Sequence, residues 1–107
     1  MAAVLVTITT PGFHGEPNGA PVANVVPRAA HSITTGAGNS PVPTAMQAGE
    51  CAIIAVSGDA TVKLAAAVGA SPDATAAHHW LVGTAIGQSV WAFRAAHSDT
   101  RLALTDA

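Results

Sequence analysis

Turn-forming residues interrupt this sequence about every ten residues, so no segment is long enough for an extended α-helix. Clusters of Gly, Pro, Asn, Asp, Ser and Thr occur at residues 11–12, 36–41, 57–59, 69–73 and 97–100. The segments between them are rich in Val, Ile, Leu and Thr, which favour strands. We therefore predict a single all-β domain over residues 1–107. Its expected form is a small antiparallel β-sandwich of about seven to eight strands with a jelly-roll-like arrangement.

Strand periodicity is clearest near the beginning of the sequence. Val4, Val6 and Ile8 fall on one side of an alternating segment, and Leu5 and Thr7 fall on the other, which is the period of two expected for a strand. Similar short segments recur along the chain. The strand candidates are residues 4–10, 31–35, 51–56, 60–68, 79–82, 89–95 and 101–105.

Two of these candidates are predicted to form a β-hairpin. Residues 51–56 and 60–68 flank a Gly58-Asp59 loop, whose Gly-first pattern suits a type II′ turn. The register would pair Ile53 with Leu64, Ala55 with Val62, and Cys51 with Ala66. We predict that this apolar face joins Trp91 and Phe93 in the core, and that Cys51 is a buried, inert thiol. The opposite face carries Ile54 and Val56, which we predict to contact a partner or a second sheet.

Residues 11–28 have a different composition. They contain four prolines and three glycines, which exclude a continuous helix or a central strand. We interpret the segment as an extended docking arm, with a plain surface loop as the alternative. The apolar residues predicted to anchor it on a neighbouring subunit are Phe13, Val22, Val25 and Val26.

Low charge limits the classes of partner. Charged residues make up 9% of the chain, the formal net charge is −2, and the four basic residues are scattered singly. A phosphate backbone requires a clustered basic surface, so we expect no nucleic-acid ligand. We also expect no membrane span and no export signal, because no apolar run is long enough and no basic segment precedes one. An uncharged, Ala-rich surface instead favours contact with other protein, including self-association, for example as a trimer.

The sequence has no pattern typical of a catalytic or metal-binding site. The five histidines lack the spacing of metal ligands, since adjacent His78 and His79 would point to opposite faces of a strand. His97, Ser98 and Asp99 include the residue types of a hydrolase triad, but sequence neighbours cannot reach triad geometry, which favours a turn. We therefore predict a non-enzymatic protein with no catalytic residues, no metal and no cofactor.

The second half of the chain has a recognisable order of segments: a strand closing in a Pro-containing loop at residues 67–74, a Trp-Leu-Val strand at 80–82, an aromatic strand at 91–93 and an Arg-Leu-Ala-Leu strand at 101–104. In this order it resembles small virion proteins of tailed bacteriophages. It implies a β-sandwich of the virion, assembled in the host cytoplasm, with the major capsid protein or another virion protein as partner.

The expected function is that of a capsid decoration protein that stabilises the head. A head–tail connector or tail component is an alternative. A small carbohydrate-binding β-sandwich, with Trp80 and Trp91 as a stacking platform, is another.

Overall fold

A computed structural model describes residues 2–12, 22–23, 27–83 and 86–107 of the chain. The described residues form antiparallel strands and contain no α-helix. The strands are β1 (Ala3–Thr9), β2 (Pro11–Gly12), β3 (Val22–Ala23), β4 (Ala29–Thr34), β5 (Ser40–Pro41), β6 (Cys51–Ser57), β7 (Thr61–Val68), β8 (Trp80–Gly83), β9 (Val90–Arg94) and β10 (Thr100–Asp106).

Eight of these strands form two four-stranded sheets. The first, called the β1 sheet, has the order β4-β1-β6-β9, and the second, called the β10 sheet, has the order β5-β10-β7-β8. The chain passes from one sheet to the other between β4 and β5, β5 and β6, β6 and β7, β8 and β9, and β9 and β10. Two sheets with such crossings are the architecture of a jelly-roll-like sandwich. The predicted all-β sandwich is confirmed.

The core lies between the inner faces of the two sheets. The β1 sheet contributes three cross-strand rows, of which Val6, Ile54 and Trp91 form the central one. Leu64 and Leu104 face each other on neighbouring strands of the β10 sheet and are fully buried. The side chains of the core cluster are small or branched aliphatic groups apart from Met46, which explains how a chain with few aromatic residues fills its interior.

The predicted hairpin between residues 51–56 and 60–68 is wrong. β6 pairs with β1 and β9, whereas β7 pairs with β10 and β8, so the two strands belong to different sheets. Gly58 does take a positive φ of 75°, as the turn chemistry suggested, but the turn connects the sheets instead of pairing the strands. Both edges of β6 are already occupied by strands from distant parts of the chain.

The face predicted for β6 is also wrong. Ala52, Ile54 and Val56 point into the core, while Ile53 and Ala55 are half-buried on the outer face. Apolar residues occupy both faces of this strand, so alternation alone could not choose between them. The prediction is correct for Val62 and Leu64, which are fully buried. Trp91 and Phe93 are partly buried and pack against the core from its margin.

The last strand is more buried than its sequence suggests. Leu102 and Leu104 face the core, but Ala103 on the opposite face is also fully buried. It forms a small cluster with Ala65 and with Ala74, which lies in the loop between β7 and β8. The Asn39 side chain holds this loop by donating to the Pro72 carbonyl at 3.1 Å and accepting from the Ala74 amide at 2.8 Å. The outer face of the β10 sheet is thus partly covered by the protein's own loop.

The predicted arm begins and ends at described residues. Pro11 pairs with Ala23 and Gly12 pairs with Val22 in a two-stranded ladder. The Arg28 amide donates to the Ile8 carbonyl at 2.9 Å, which fixes the end of the segment beside β1. Phe13, Val25 and Val26 lie outside the described residues, so their role as anchors stays a prediction.

A bidentate ion pair that sequence analysis did not single out supports this end of the sandwich. Arg28 Nε and Nη2 donate to the Glu50 carboxylate at 2.6 and 2.7 Å, and Nη2 also donates to the Ala45 carbonyl at 2.8 Å. The Glu50 carboxylate accepts a further bond, at 2.7 Å, from the Gln47 amide. Glu50 is 4% exposed, whereas the Arg28 side chain is 39% exposed. The pair joins the residues before β4 to the loop before β6.

We expect stability to fall in acid because of Glu50. The hydrogen bonds from Arg28 lower the pKa of Glu50 and outweigh the opposing effect of burial. A depressed folded-state pKa stabilises the fold above the unfolded-state pKa of about 4.3, and this contribution disappears as pH falls through the lower folded-state value. Glu50→Gln should therefore lower the free energy of unfolding by about 1–3 kcal/mol at pH 7, and urea titrations should show this difference shrinking in acid.

Asp59→Asn is the control for this measurement. Asp59 is exposed in the connection between β6 and β7, so the substitution should leave stability at pH 7 nearly unchanged. A Glu50→Gln penalty that is the same at neutral and acid pH would contradict a stabilising role for the carboxylate charge.

Candidate interaction surface

The outer face of the β1 sheet is made of small and apolar side chains, and no other described strand packs over it. Cross-strand pairing forms two rows that run across all four strands. One row is Ser32, Leu5, Ala55 and Val90, and the other is Ala30, Thr7, Ile53 and Ala92. Strand alternation fixes this arrangement, because each of these residues is the neighbour of one that points into the core.

This surface carries little charge. Neither row contains a charged residue. Arg94, which pairs with Cys51 beyond the second row, is the charged residue at the described end of β9. Leu5 is 48% exposed and Val90 is 59% exposed. Covering exposed aliphatic groups with another protein is favourable, because it removes apolar surface from water. Cys51 is half-buried rather than fully buried as predicted. The outer face of the β1 sheet therefore has the composition of a protein-contact surface.

The opposite side of the molecule differs in its charge and in being partly covered by a loop. The β10 sheet carries Lys63 and Arg101 on its outer face, and Arg101 pairs with Asp99 at 2.9 Å. The loop held by Asn39 covers part of that face. The two sheets thus present one face with little charge and one charged, partly covered face, which makes the β1 sheet the better candidate for contact with a partner.

The interface residues predicted from sequence are distributed differently in the structure. Ile54 and Val56 are 0% and 6% exposed; their side chains lie in the core and are not offered to a partner. Val22 pairs with Gly12 at the base of the arm. Phe13, Val25 and Val26 lie outside the described residues. The outward-facing positions that sequence analysis did not select are Leu5 and Val90, which are exposed, and Ile53, which is half-buried. Alternation in residues 4–10 separates Leu5 from Val4 and Val6 but does not say which side of the strand faces outward.

An aromatic cluster lies at the margin of the sandwich where β8 and β9 approach each other. The ring centroids of Trp80 and Trp91 are 4.7 Å apart with an interplanar angle of 39°, and Trp80 lies 5.1 Å from Phe93 at 52°. These are tilted packing contacts between the rings. A sugar platform needs ring faces that are free and directed outward, whereas here the rings pack against one another and against the core.

An apolar groove of about 200 Å³ adjoins this cluster. Its lining includes Val68, Phe93, Arg94 and His97. The His97 carbonyl accepts a hydrogen bond from the Thr100 hydroxyl at 2.6 Å, and Asp99, with a φ of 54°, pairs with Arg101. His97 and Asp99 are therefore engaged in the connection before β10, in agreement with the predicted turn.

Residues 2–12, 22–23, 27–83 and 86–107 contain no group of three or more His, Cys, Asp or Glu side chains placed to hold a metal ion. In the same part of the chain, no helix has the length and apolar character needed to cross a membrane.

Comparison with known proteins gives no relatives. No protein-family profile, no curated protein and no solved structure matches this chain.

Proposed function

We propose that this protein is a non-enzymatic structural protein of a bacteriophage virion, and that it decorates the capsid and stabilises the head. The resemblance of residues 49–106 to small virion proteins of tailed phages supplies the class of protein. The outer face of the β1 sheet, with little charge and with Leu5 and Val90 about half exposed, is the observation that supports attachment to another protein surface.

The chemistry of that face suits a broad, shallow contact with a capsid shell. Its rows contain aliphatic, Ala, Ser and Thr side chains on a continuous four-stranded ladder. Burying apolar surface contributes about 25 cal/mol for each Å², and short side chains lose little conformational entropy when they are covered. A face of this kind can contribute binding energy without a specific pocket or a charged contact.

The arm supplies a second proposed contact. Pro11 and Gly12, which follow β1, pair with Val22 and Ala23, and the Arg28 amide at the other end of the segment donates to the Ile8 carbonyl of β1. Its anchors remain those predicted from sequence, Phe13, Val22, Val25 and Val26. Prolines reduce the entropy that such a segment loses when it is ordered on a partner.

A charge placed on the outer face should prevent attachment. We expect Leu5→Lys to reduce binding to capsids by at least about ten-fold, since an ammonium group buried in an apolar contact is strongly unfavourable. Leu81→Lys is the matched control: Leu81 is 40% exposed and lies on β8 of the other sheet, so this variant should attach normally. Co-sedimentation of each purified variant with capsids that lack the protein measures the effect.

The same particles distinguish decoration from the alternatives. Cryo-electron microscopy of capsids with bound protein should show regular density over the head. Density confined to the portal or tail would favour a connector or tail component. Equal binding by Leu5→Lys and Leu81→Lys would overturn the role assigned to the outer face of the β1 sheet.

Removing the arm should affect attachment more than folding. A variant in which residues 12–23 are replaced by a short Gly/Ser bridge retains the eight strands of the two sheets. We expect its circular dichroism to remain that of a β protein while capsid binding falls sharply. Full binding by this folded variant would show that the segment is a surface loop with no docking role.

A further inference from the structure

We propose that β4 is a pairing edge at which a second copy of this chain adds antiparallel to the first, joining two β1 sheets into one continuous sheet. The proposal goes beyond capsid decoration, because it describes a dimer of the isolated protein in solution. It follows from the backbone of β4 and from the side chains that flank it.

The backbone of β4 has hydrogen-bonding groups along one side that no described residue pairs with. β4 is an edge strand, with β1 as its neighbour in the sheet order of the described residues. The Thr35 amide donates to the Ala2 carbonyl at 2.9 Å, and the alternation of an antiparallel ladder then directs Ile33, His31 and Ala29 toward β1. The amides and carbonyls of the intervening residues, Ala30, Ser32 and Thr34, therefore point away from the sheet.

The edge lacks the features that normally prevent such pairing. Soluble proteins protect free edges with Lys, Pro, bulges or very short strands, yet β4 has six residues, no formal charge and no proline. The other edges differ: β5 has two residues, β9 carries Arg94, and Gly83 of β8 exchanges backbone bonds of 2.7 and 2.9 Å with Gln88. β4 is thus the longest open edge among the described strands.

The register follows from the number of bonds that the edge can make. Pairing about a two-fold axis at Ser32 places Ser32 opposite its counterpart and Ala30 opposite Thr34 of the second copy. All three outward-pointing residues then pair, which gives about six backbone hydrogen bonds. Shifting the axis by one residue leaves an outward pair unmatched. The facing side chains are small and uncharged, and Arg28 beyond the strand is neutralised by Glu50, so no like charges meet.

A second copy suits this edge because its own β4 also carries small, uncharged side chains. The two-fold arrangement uses the same strand on both chains and closes at two copies, as most soluble homo-oligomers do. It also doubles the uncharged outer surface on one sheet. The contact is small, so we expect the dimer to become populated at about 0.1–1 mM.

Sedimentation velocity across this concentration range tests the association. The expected result is a concentration-dependent shift from monomer to dimer. Ser32→Lys should weaken the dimer at least about ten-fold, because two ammonium groups would face each other across the axis. Ser57→Lys, at the exposed end of central strand β6, carries the same charge away from the edge and should dimerise like the unmodified protein. A monomer at all concentrations, or open-ended assemblies, would overturn the proposal.

Disulfide trapping tests the register. In a Cys51→Ser background, Ser32→Cys should form a covalent dimer on mild oxidation, since directly paired Cα atoms lie about 5.5 Å apart. Ala30→Cys alone should not, because its counterpart would lie about 13 Å away along the strand. A mixture of Ala30→Cys and Thr34→Cys chains should cross-link as a heterodimer. Equal cross-linking of Ala30→Cys and Ser32→Cys alone would contradict this register, whatever the outcome of the capsid-binding experiments.

Discussion

Ile54→Ala should lower the free energy of unfolding by about 2–5 kcal/mol, the usual effect of emptying a fully buried aliphatic site. Ile54 is 0% exposed in the central row of the β1 sheet, between Val6 and Trp91. A domain of this size has a total stability of about 5–15 kcal/mol, so the variant would be close to unfolding at elevated temperature. Urea denaturation at neutral pH measures the change, and Leu64→Ala should give a loss in the same range because Leu64 is also fully buried.

Ile53→Ala is the matched control, since it removes the same side-chain atoms from the residue that precedes Ile54 on the same strand. Ile53 is half-buried on the outer face beside Thr7 and Ala92, and we expect a loss of about 1 kcal/mol or less. If Ile53→Ala were the more damaging change, the inward face of β6 would be the one expected from the hairpin register.

Gly83→Ala should destabilise the protein by about 3 kcal/mol, because no space exists for a side chain at this position. A Cβ atom built on Gly83 would lie 2.5 Å from Thr61 Cα and would also collide with the Ala60 carbonyl oxygen. Both obstacles are backbone atoms at the start of β7, so a rotamer change cannot relieve the contact. The chain on the other side of Gly83 is held by its two backbone hydrogen bonds with Gln88.

Gly38→Ala separates this effect from the general cost of replacing glycine. A Cβ on Gly38 would have no atom within 4 Å, so we expect its melting temperature to stay within a few degrees of the unmodified protein. Thermal unfolding followed by circular dichroism compares the two. Equal melting temperatures for Gly83→Ala and Gly38→Ala would mean that β7 and β8 do not approach as closely as described.

Local sequence patterns predicted the longer strands but not their neighbours, and they missed the two-residue strands β2, β3 and β5, two of which lie in predicted turns. Alternation and turn residues located segments such as β1 and β10 to within one or two residues. They did not predict the inward face of β6. Both faces of this strand are apolar, so the face that points into the core is decided by the strands that flank it. Alternation put Leu5 on the side opposite Val4, but only the sheet order shows that this side faces outward and that Leu5 and Val90 lie in one row. The Arg28–Glu50 pair had no local signal, because 22 residues separate its members.

The central positions of β1 and β10 bear on how fast this protein can fold. β1 lies between β4 and β6, and β10 lies between β5 and β7, so each sheet is completed around a strand from the opposite end of the described chain. Ala3 pairs with Ser57, and Ala103 pairs with Pro41. Such high contact order requires large loops to close before native contacts repay the lost entropy, and two-state β proteins of this kind fold in about milliseconds to seconds. During that interval β6 and β7 expose unpaired edges, and refolding yield should therefore decline as protein concentration rises.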